Sequence, residues 1–501
     1  MKIEAEKHTS PIYQELCEKI GAEKVKDDEA ILVSYGFDSS MAPFRKPSLV
    51  VLPESRGDAR EVLMIANRNR VPVTVMSRGV NIAGMTVPSK GGIVLDFRNM
   101  DAILEIDTDS GYAVIEPGVT FDKFTSALSK KGFRCHVPTA PGGAAPLGNY
   151  LLNPSGSLSN RHLDSILDLE VVLPDGTIVN TGSTAFPSPN SKPCRRYGPF
   201  PDLGGLFCCA YGSLGVITKA AVRIYPRNES TRVNLAAFDE FGSAVEFVKD
   251  LINNNIGESH IIWSWQFYKT YDISVPTSAN LNIPCELFSD ARKPPRDIPY
   301  NIVTTFISGY VEMTTTCESI CATMAKKYGG RVVPMEQMAE ISPGAVRAWQ
   351  QFYIEYHQPK MEHNKKYGLG QYLALLLDAT PQSTIEIEKL VMKEMGDLGV
   401  KPLCYYCQPF DFGRYMMFRA FGFFDRKDKE FMRTIAATFK KLYDTALERY
   451  GATPERYRPD PSVFQQLGGY YNLLKRIKKS IDPNNILNPD LELFEEEESE
   501  T

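Results

Sequence analysis

The chain has 501 residues, 43% of them hydrophobic, 23% charged and 11% aromatic. That length suggests two or three domains with ample apolar material for a folded core. Its 56 basic and 61 acidic residues leave a formal charge of −5, a poor balance for gripping a phosphate backbone, and nucleic acid is set aside as a partner.

In chain order, residues 1–45 read as an N-terminal helical segment. Its first eight residues, Met1 to His8, lack the apolar stretch of a signal peptide. No apolar run reaches the length needed to cross a bilayer, so no membrane is expected and the location reads as cytoplasmic. Residues 46–228 form the next unit. Leu49 to Leu52 reads as a buried strand, and Asp58 opens a helix with Ala59, Val62, Leu63 and Ala66 on one face. Short β-type runs follow at Val73–Met76, Ile93–Leu95 and Ala113–Ile115. Thr120 is the N-cap of a helix carrying Phe124 and Leu128, with Asp122 suited to the positive end of its dipole. Leu169–Leu173, Pro174-Asp175-Gly176 and Thr177–Val179 spell a hairpin, and Gly215–Tyr225 alternates as a strand.

Residues 229–455 change character. Helix 240–252, strands 259–266 and 302–310 and helix 315–327 precede a second round. That round has strand 369–376, helix 383–396, strands 402–407 and 415–424, and helix 428–449. Strands adjoining strands with helices between them imply an α+β layer on an antiparallel sheet. Asn280–Tyr300 reads as a long loop. Residues 456–501 read as a segment returning to the first domain.

The 10 cysteines lack the dense, even spacing of a secreted scaffold and are read as buried thiols in a reducing compartment. Cys404 and Cys407 form the only CxxC. Residues three apart on a strand point to opposite faces, so two core thiols are expected and not zinc. His357 and His363 flank Lys360 and Glu362, but no third ligand accompanies them, and no metal is assigned.

The phosphate-loop, HExxH, GxSxG and GxGxxG patterns are absent. Glycine instead clusters with small residues in three places. These are Ser77-Arg78-Gly79-Val80-Asn81-Ile82-Ala83-Gly84, the run from Pro141, Gly142 and Gly143 to Leu147, Gly148 and Asn149, and Gly212 to Gly215, Val216 and Ile217. Glycine permits positive φ and close backbone approach, and turns with exposed N–H groups form anion-binding nests. Three nests in one domain could hold a pyrophosphate and a flat ring; singly, each would be an ordinary turn.

The order of motifs carries a resemblance. Pro72–Gly79, Gly91–Met100, Ile103–Asp107, Val114–Thr120, Gly148-Asn149, Glu170–Gly176 and Gly212–Lys219 follow one another. Together they resemble the FAD-binding domain of the vanillyl-alcohol oxidase and p-cresol methylhydroxylase flavoproteins, the PCMH-type FAD-linked oxidases. Ile481–Pro489 is similar to that family's C-terminal signature. The resemblance implies an α+β fold, with a PCMH-type FAD-binding domain of two α+β subdomains and an α+β cap over the flavin. It implies one FAD, its pyrophosphate on the Ser77–Gly84 loop. Pro141, Gly142, Gly143, Leu147, Gly148 and Asn149 would lie close by, Gly212, Gly215, Val216 and Ile217 would approach from a strand, and Pro117 and Gly118 would shape the cleft.

Many members tether FAD through a His or Tyr of the cap. Here the tether position falls at Met417 or Phe418, so noncovalent FAD is expected, with Tyr415 the nearby residue able to overturn it. Phenol-oxidising members hold a phenolate with two Tyr and an Arg. Tyr457 and Arg458 match one Tyr and the Arg; the alternative for them is a surface turn before Pro459. The other Tyr falls at Gly84, and the family's acidic catalytic residue at Arg161 or His162, one of which is expected to bind an anionic or phenolic oxygen. The leading expectation is hydride removal from a 4-hydroxybenzylic alcohol or alkylphenol. A 2-hydroxy-acid dehydrogenase and a flavin electron-relay subunit are the alternatives. Oxygen, a cytochrome and an electron-transfer protein all remain open as acceptor, as does homo-oligomerisation.

Overall fold

The computed structural model describes residues 10–38, 40, 42–81, 83–138, 140–152, 165–274, 294, 298–354, 372–378, 380–400, 403–422, 428–455 and 467–489. Near its start, a four-stranded sheet has the order Val25–Lys26, Leu49–Val51, Ile93–Asp96, Val73–Met76. Its last three strands are parallel. Helix Arg56–Arg68 covers it, burying Ala59, Val62, Leu63 and Ala66. The helix starts earlier than Asp58: Ser55 is the cap, its hydroxyl accepting the Asp58 N–H at 3.1 Å. Asp58 instead receives the Lys24 ammonium at 2.9 Å.

A second, five-stranded sheet is antiparallel throughout, in the order Ile103–Asp107, Tyr112–Ile115, Val216–Arg223, Ile166–Val172, Ile178–Asn180. The last two strands form the expected hairpin, where Gly176 takes φ +84° and Asp175 accepts the Thr177 N–H at 2.8 Å. Helix Phe121–Ser129 starts at Thr120, which accepts the Lys123 N–H at 3.2 Å.

The later part is an eight-stranded antiparallel sheet. Helices Phe241–Asn253, Val311–Lys327, Pro381–Asp397 and Lys429–Tyr450 bury Val248, Cys321, Val391 and Phe439 against one face, with Ile262, Tyr405, Cys407 and Phe418. The opposite face puts Trp263, Cys404, Tyr406 and Met417 into one core with Ala113, Leu169 and Val222 of the five-stranded sheet. Strand alternation thus feeds two cores. Cys404 and Cys407 fall on opposite faces, both buried, as their spacing required.

The expected strand 259–266 ends at Ser264, whose hydroxyl caps helix Trp265–Thr270 through the Phe267 N–H. Strand Ser230–Phe238 and helices Met335–Ile341 and Pro343–Trp349 had no counterpart in the sequence reading. Helix Gly469–Ile481 leads the chain back to the first sheet, where Leu487 pairs in parallel with Val73. Most of Asn280–Tyr300, together with His357 and His363, lies outside the described residues. No helix among the described residues is long and apolar enough to cross a membrane.

Candidate functional site

A cleft opens where strand Val73–Met76 runs out. Val75, Met76, Ser77, Arg78, Gly79, Val80 and Asn81 form its first wall. Gly79 takes φ +67°, a region where side chains beyond glycine are strained. The opposing wall is Phe207, Tyr211, Gly212, Gly215 and Ile217. Between them, Pro117, Ala144, Ala145, Leu147, Gly148 and Asn149 close the floor, the last three on helix Pro146–Leu152.

Two glycines keep the cleft open. A Cβ on Gly148 would stand 3.2 Å from the Ser77 hydroxyl, so its absence lets helix and loop approach without displacing that hydroxyl. A Cβ on Gly215 would press on Val171 at 2.5 Å and Phe207 at 3.0 Å. The walls suit a dinucleotide carrying a flat ring. Phe97, Leu147, Leu151, Phe207 and Ile217 offer apolar surface, and the turns at Gly79 and Gly212 offer backbone.

Not every expected cofactor residue reaches this cleft. Val216 is fully buried on the other side of its strand, packed with Val172 and Leu487, while its neighbours Gly215 and Ile217 line the cleft. Period-two alternation explains the split. The Ala83 N–H goes to Asn81 Oδ1 at 2.8 Å and the Gly84 N–H to Asp38 Oδ2 at 2.9 Å. Gly118 lies against the backbone carbonyls of Phe97, Met100 and Arg98 and is not part of the lining, whereas Pro117 is. Gly142 faces Asp122, whose N–H donates to the Gly142 carbonyl at 3.0 Å. Pro141 and Gly143 are absent from the lining, and Ile82 lies outside the described residues. Ala144 and Ala145 line the cleft where Gly142 and Gly143 were expected.

Charge around the first wall is organised by Asp96. Its fully buried carboxylate accepts from Tyr35 at 2.8 Å and from Arg98 Nε at 2.6 Å. Burial lifts its pKa above the ordinary carboxylate value against the pull of Arg98. Arg78, on the cleft wall, donates to the Arg98 carbonyl at 3.3 Å.

The inner cap face is made differently. Tyr406 stacks on Phe421 with centroids 5.7 Å apart, and Trp263 and Phe267 close around it at 5.4 and 5.2 Å. Within this aromatic patch lies one buried ion pair, Arg419 with Glu455. Arg419 Nε donates to Glu455 Oε2 at 2.6 Å, a second bond joins Arg419 Nη2 to Glu455 Oε1, and Arg419 Nη1 donates to the Tyr406 hydroxyl. No local pattern announced this trio, because its members lie 13 and 36 residues apart.

Arg161, His162, Tyr457 and Arg458 all lie outside the described residues. The described chain ends beside them are anchored. Leu152, before residue 153, lines the cleft. Glu455, before residue 456, is tied to Arg419 and also donates its N–H to the Ala374 carbonyl at 3.0 Å.

At the expected tether position, Met417 lies on the inner face and Phe418 on the helix-covered face. Tyr415 begins the same strand, its ring stacked on Phe410 at 5.5 Å. Burial, with Asp411, Glu455 and Cys209 nearby, pushes its phenol well above the ordinary value. Among the described residues, no group of three or more His, Cys, Asp or Glu side chains is arranged to hold a metal.

Residues 47–182 match the FAD binding domain family. The 4-cresol dehydrogenase [hydroxylating] flavoprotein subunit of Pseudomonas putida is 25% identical over 459 residues, covering 88% of this chain and 87% of that protein. Glycolate oxidase subunit GlcD of Bacillus subtilis is 29% identical over 248 residues, covering 49% of this chain and 51% of that protein. The chain spans about half the length of the first curated relatives it matches. Among solved structures, substrate-bound p-cresol methylhydroxylase superposes with a TM-score of 0.82 at 22% identity, covering 96% of this chain and 95% of the other. The isoeugenol complex of 4-ethylphenol oxidase from Gulosibacter chungangensis gives 0.81 at 19% identity, covering 95% of each; both likenesses speak for the fold. Residues 47–182 are an FAD-binding domain, and with a relative aligned along most of its length and this fold in common the chain is similar to the PCMH-type FAD-linked oxidases; its cofactor is FAD.

Proposed function

We propose that the protein is an FAD-dependent oxidoreductase whose donor is a small aromatic molecule, a 4-hydroxybenzylic alcohol or an alkylphenol. The observation that supports this reading is the inner side of the cap sheet, where Trp263, Phe267, Tyr406 and Phe421 pack as an aromatic cluster around one buried guanidinium, Arg419. Such a face favours a flat apolar body bearing one polar end. Bound FAD supplies the hydride-accepting ring. The residues assigned to it are Ser77 to Asn81, Leu147 to Asn149, and Gly212, Gly215 and Ile217. Their part is to bind and orient.

Tyr457 and Arg458, with Arg161 or His162, are the groups proposed to hold the donor's oxygen. A phenol hydroxyl and a guanidinium lower the pKa of a bound phenol by favouring its anion. The charge so produced weakens the benzylic C–H bond toward hydride loss. The aromatic wall excludes water from that carbon. FAD is proposed to be held without a covalent bond, because Met417 and Phe418 carry no nucleophile. Acid precipitation should leave a colourless pellet; a yellow pellet would assign the tether to another residue, Tyr415 first.

A 2-hydroxy acid is the second reading, favoured by relatives described as glycolate oxidase and D-lactate dehydrogenase. Those matches cover about half of this chain, against 88% for the cresol dehydrogenase subunit. The test is an anaerobic visible spectrum before and after 4-hydroxybenzyl alcohol. Bleaching of the flavin bands is expected. Bands that persist with the phenolic donor and bleach with lactate or glycolate would replace the aromatic reading with the second. Bands bleached only by a redox protein would point to a relay subunit. The electron acceptor, whether oxygen, a cytochrome or an electron-transfer protein, follows from which one reoxidises the bleached enzyme.

A further inference from the structure

The C-terminal signature Ile481–Pro489 lies outside the cleft lining, yet it holds both cleft walls. Asn488 Oδ1 accepts the Val75 N–H at 2.9 Å. Asn488 Nδ2 donates to the Tyr211 carbonyl. Its own N–H donates to the Val73 carbonyl at 2.8 Å, and the Val73 N–H donates to the Ile486 carbonyl at 2.7 Å. Val75 belongs to one wall and Tyr211 to the other, so a single amide side chain spans them. The fit is close: a Cβ on Gly212 would stand 3.1 Å from Asn488 Nδ2 and 3.4 Å from the Val75 Cβ.

Behind Asn488, Lys478 is 3% exposed and Asp482 is 1% exposed. The Lys478 ammonium donates to the Ser213 carbonyl at 2.8 Å, the Leu487 carbonyl at 3.0 Å and Asp482 Oδ2 at 2.5 Å. Asp482 in turn accepts the Ile486 and Leu487 N–H groups at 3.0 and 2.9 Å. All three ammonium protons therefore have an acceptor, and one of those acceptors belongs to the turn between Gly212 and Gly215. Buried charges persist only when satisfied in this way.

We propose that this segment is a cofactor clip: Asn488 is a positioning residue that sets the spacing between the Val75 and Tyr211 walls, with Lys478 and Asp482 fixing Asn488 in place. FAD affinity and the order of residues 486–488 are then linked, and the linkage is reciprocal. The clip rests on the cofactor and is independent of the donor's identity.

The test uses the full chain, expressed in flavin-starved cells and then loaded with FAD. Asn488→Asp keeps the acceptor for Val75 and loses the donor to Tyr211; Asn488→Ala loses both. FAD titrated into each, followed by flavin fluorescence, is expected to bind about tenfold more weakly or worse, with Asn488→Ala the weaker. Melting of the flavin-free variants should stay close to wild type. Hydrogen exchange on the wild-type chain is the reading that needs no variant to fold. The amides of Val75, Ile486 and Leu487 should exchange more slowly once FAD is bound. Unchanged FAD affinity in Asn488→Ala overturns the clip, as does exchange at these amides that ignores FAD. A loss of affinity fully matched by a lower melting temperature of the flavin-free variants also overturns it, since that is a defect of the fold alone.

Discussion

The cofactor cleft mixes glycine and alanine positions, where backbone comes to the wall (Gly79, Ala144, Ala145, Gly148, Gly212 and Gly215), with apolar side chains such as Phe97, Leu147, Phe207 and Ile217 for a ring. The inner side of the cap has no such backbone stretches: it is a buried cluster of large rings around Arg419 and Glu455. A wall of backbone presents the same N–H and C=O groups whatever its neighbours become, which suits an unvarying cofactor. A wall of side chains is recut by each substitution, which suits a donor that differs between relatives. The difference also sets how each region fails. The cleft is harmed by adding atoms, the cap face by removing them.

The largest effect should come from Arg419→Met. It strands the Glu455 carboxylate, whose side chain is fully buried, with its counter-charge gone. A loss of about 3–5 kcal/mol is expected in urea unfolding. Replacing Glu455 by Leu as well should recover much of it. If the single variant is as stable as wild type, the cap face does not depend on its ion pair.

Gly215→Ala tests the opposite mode. The new methyl presses on Val171 and Phe207, and a cost of roughly 1–3 kcal/mol is expected, with flavin content at purification falling further than stability. Full flavin content would mean that the cleft tolerates added atoms after all.

Next is a pH effect away from both regions. Asp168, on the five-stranded sheet, accepts the Thr184 N–H at 3.0 Å and the Thr184 hydroxyl at 2.8 Å. Burial nevertheless raises its pKa from 3.8 to about 6. The folded state therefore holds a proton more tightly than the unfolded chain. The stabilisation is complete below about pH 4 and is lost as pH rises through about 6. Asp168→Asn should match wild type in acid and exceed it above pH 6 by at most about 3 kcal/mol, read from melting against pH. Parallel curves for the two proteins would assign the pH dependence elsewhere.

The smallest change in stability is expected from Tyr406→Phe, which removes one hydroxyl beside Arg419 and keeps the ring contacts. About 1 kcal/mol should be lost. Flavin content should hold while reduction by a phenolic donor slows. A variant reduced at the wild-type rate would remove the Tyr406 hydroxyl from the donor's surroundings.

Local features were legible in the sequence because their causes are local. Thr120 caps its helix, Pro174-Asp175-Gly176 turns its hairpin, and Cys404 and Cys407 part to opposite faces, each through a rule acting within a few residues. The loops at Ser77–Asn81, Gly148-Asn149 and Gly212–Ile217 do meet at one cleft. Val216 belongs to the same motif, but strand alternation turns it away from the cleft. The helix expected at Asp58 starts at Arg56 because the Ser55 hydroxyl, three residues before Asp58, is the cap acceptor. The Arg419–Glu455 pair and the Asn488 bridge were out of reach, since nothing within a local window brings together residues 36 or 413 positions apart.

That last separation has a consequence for the order of events in synthesis. The Ser77 loop leaves the ribosome early, but its neighbour Val75 receives the Asn488 acceptor only after 413 more residues have been made. Domains generally fold as units during synthesis, yet this one lacks its proposed fastening until Asn488 has emerged. A nascent chain stalled short of Lys478 would then have most of its sheets and an unfastened cleft.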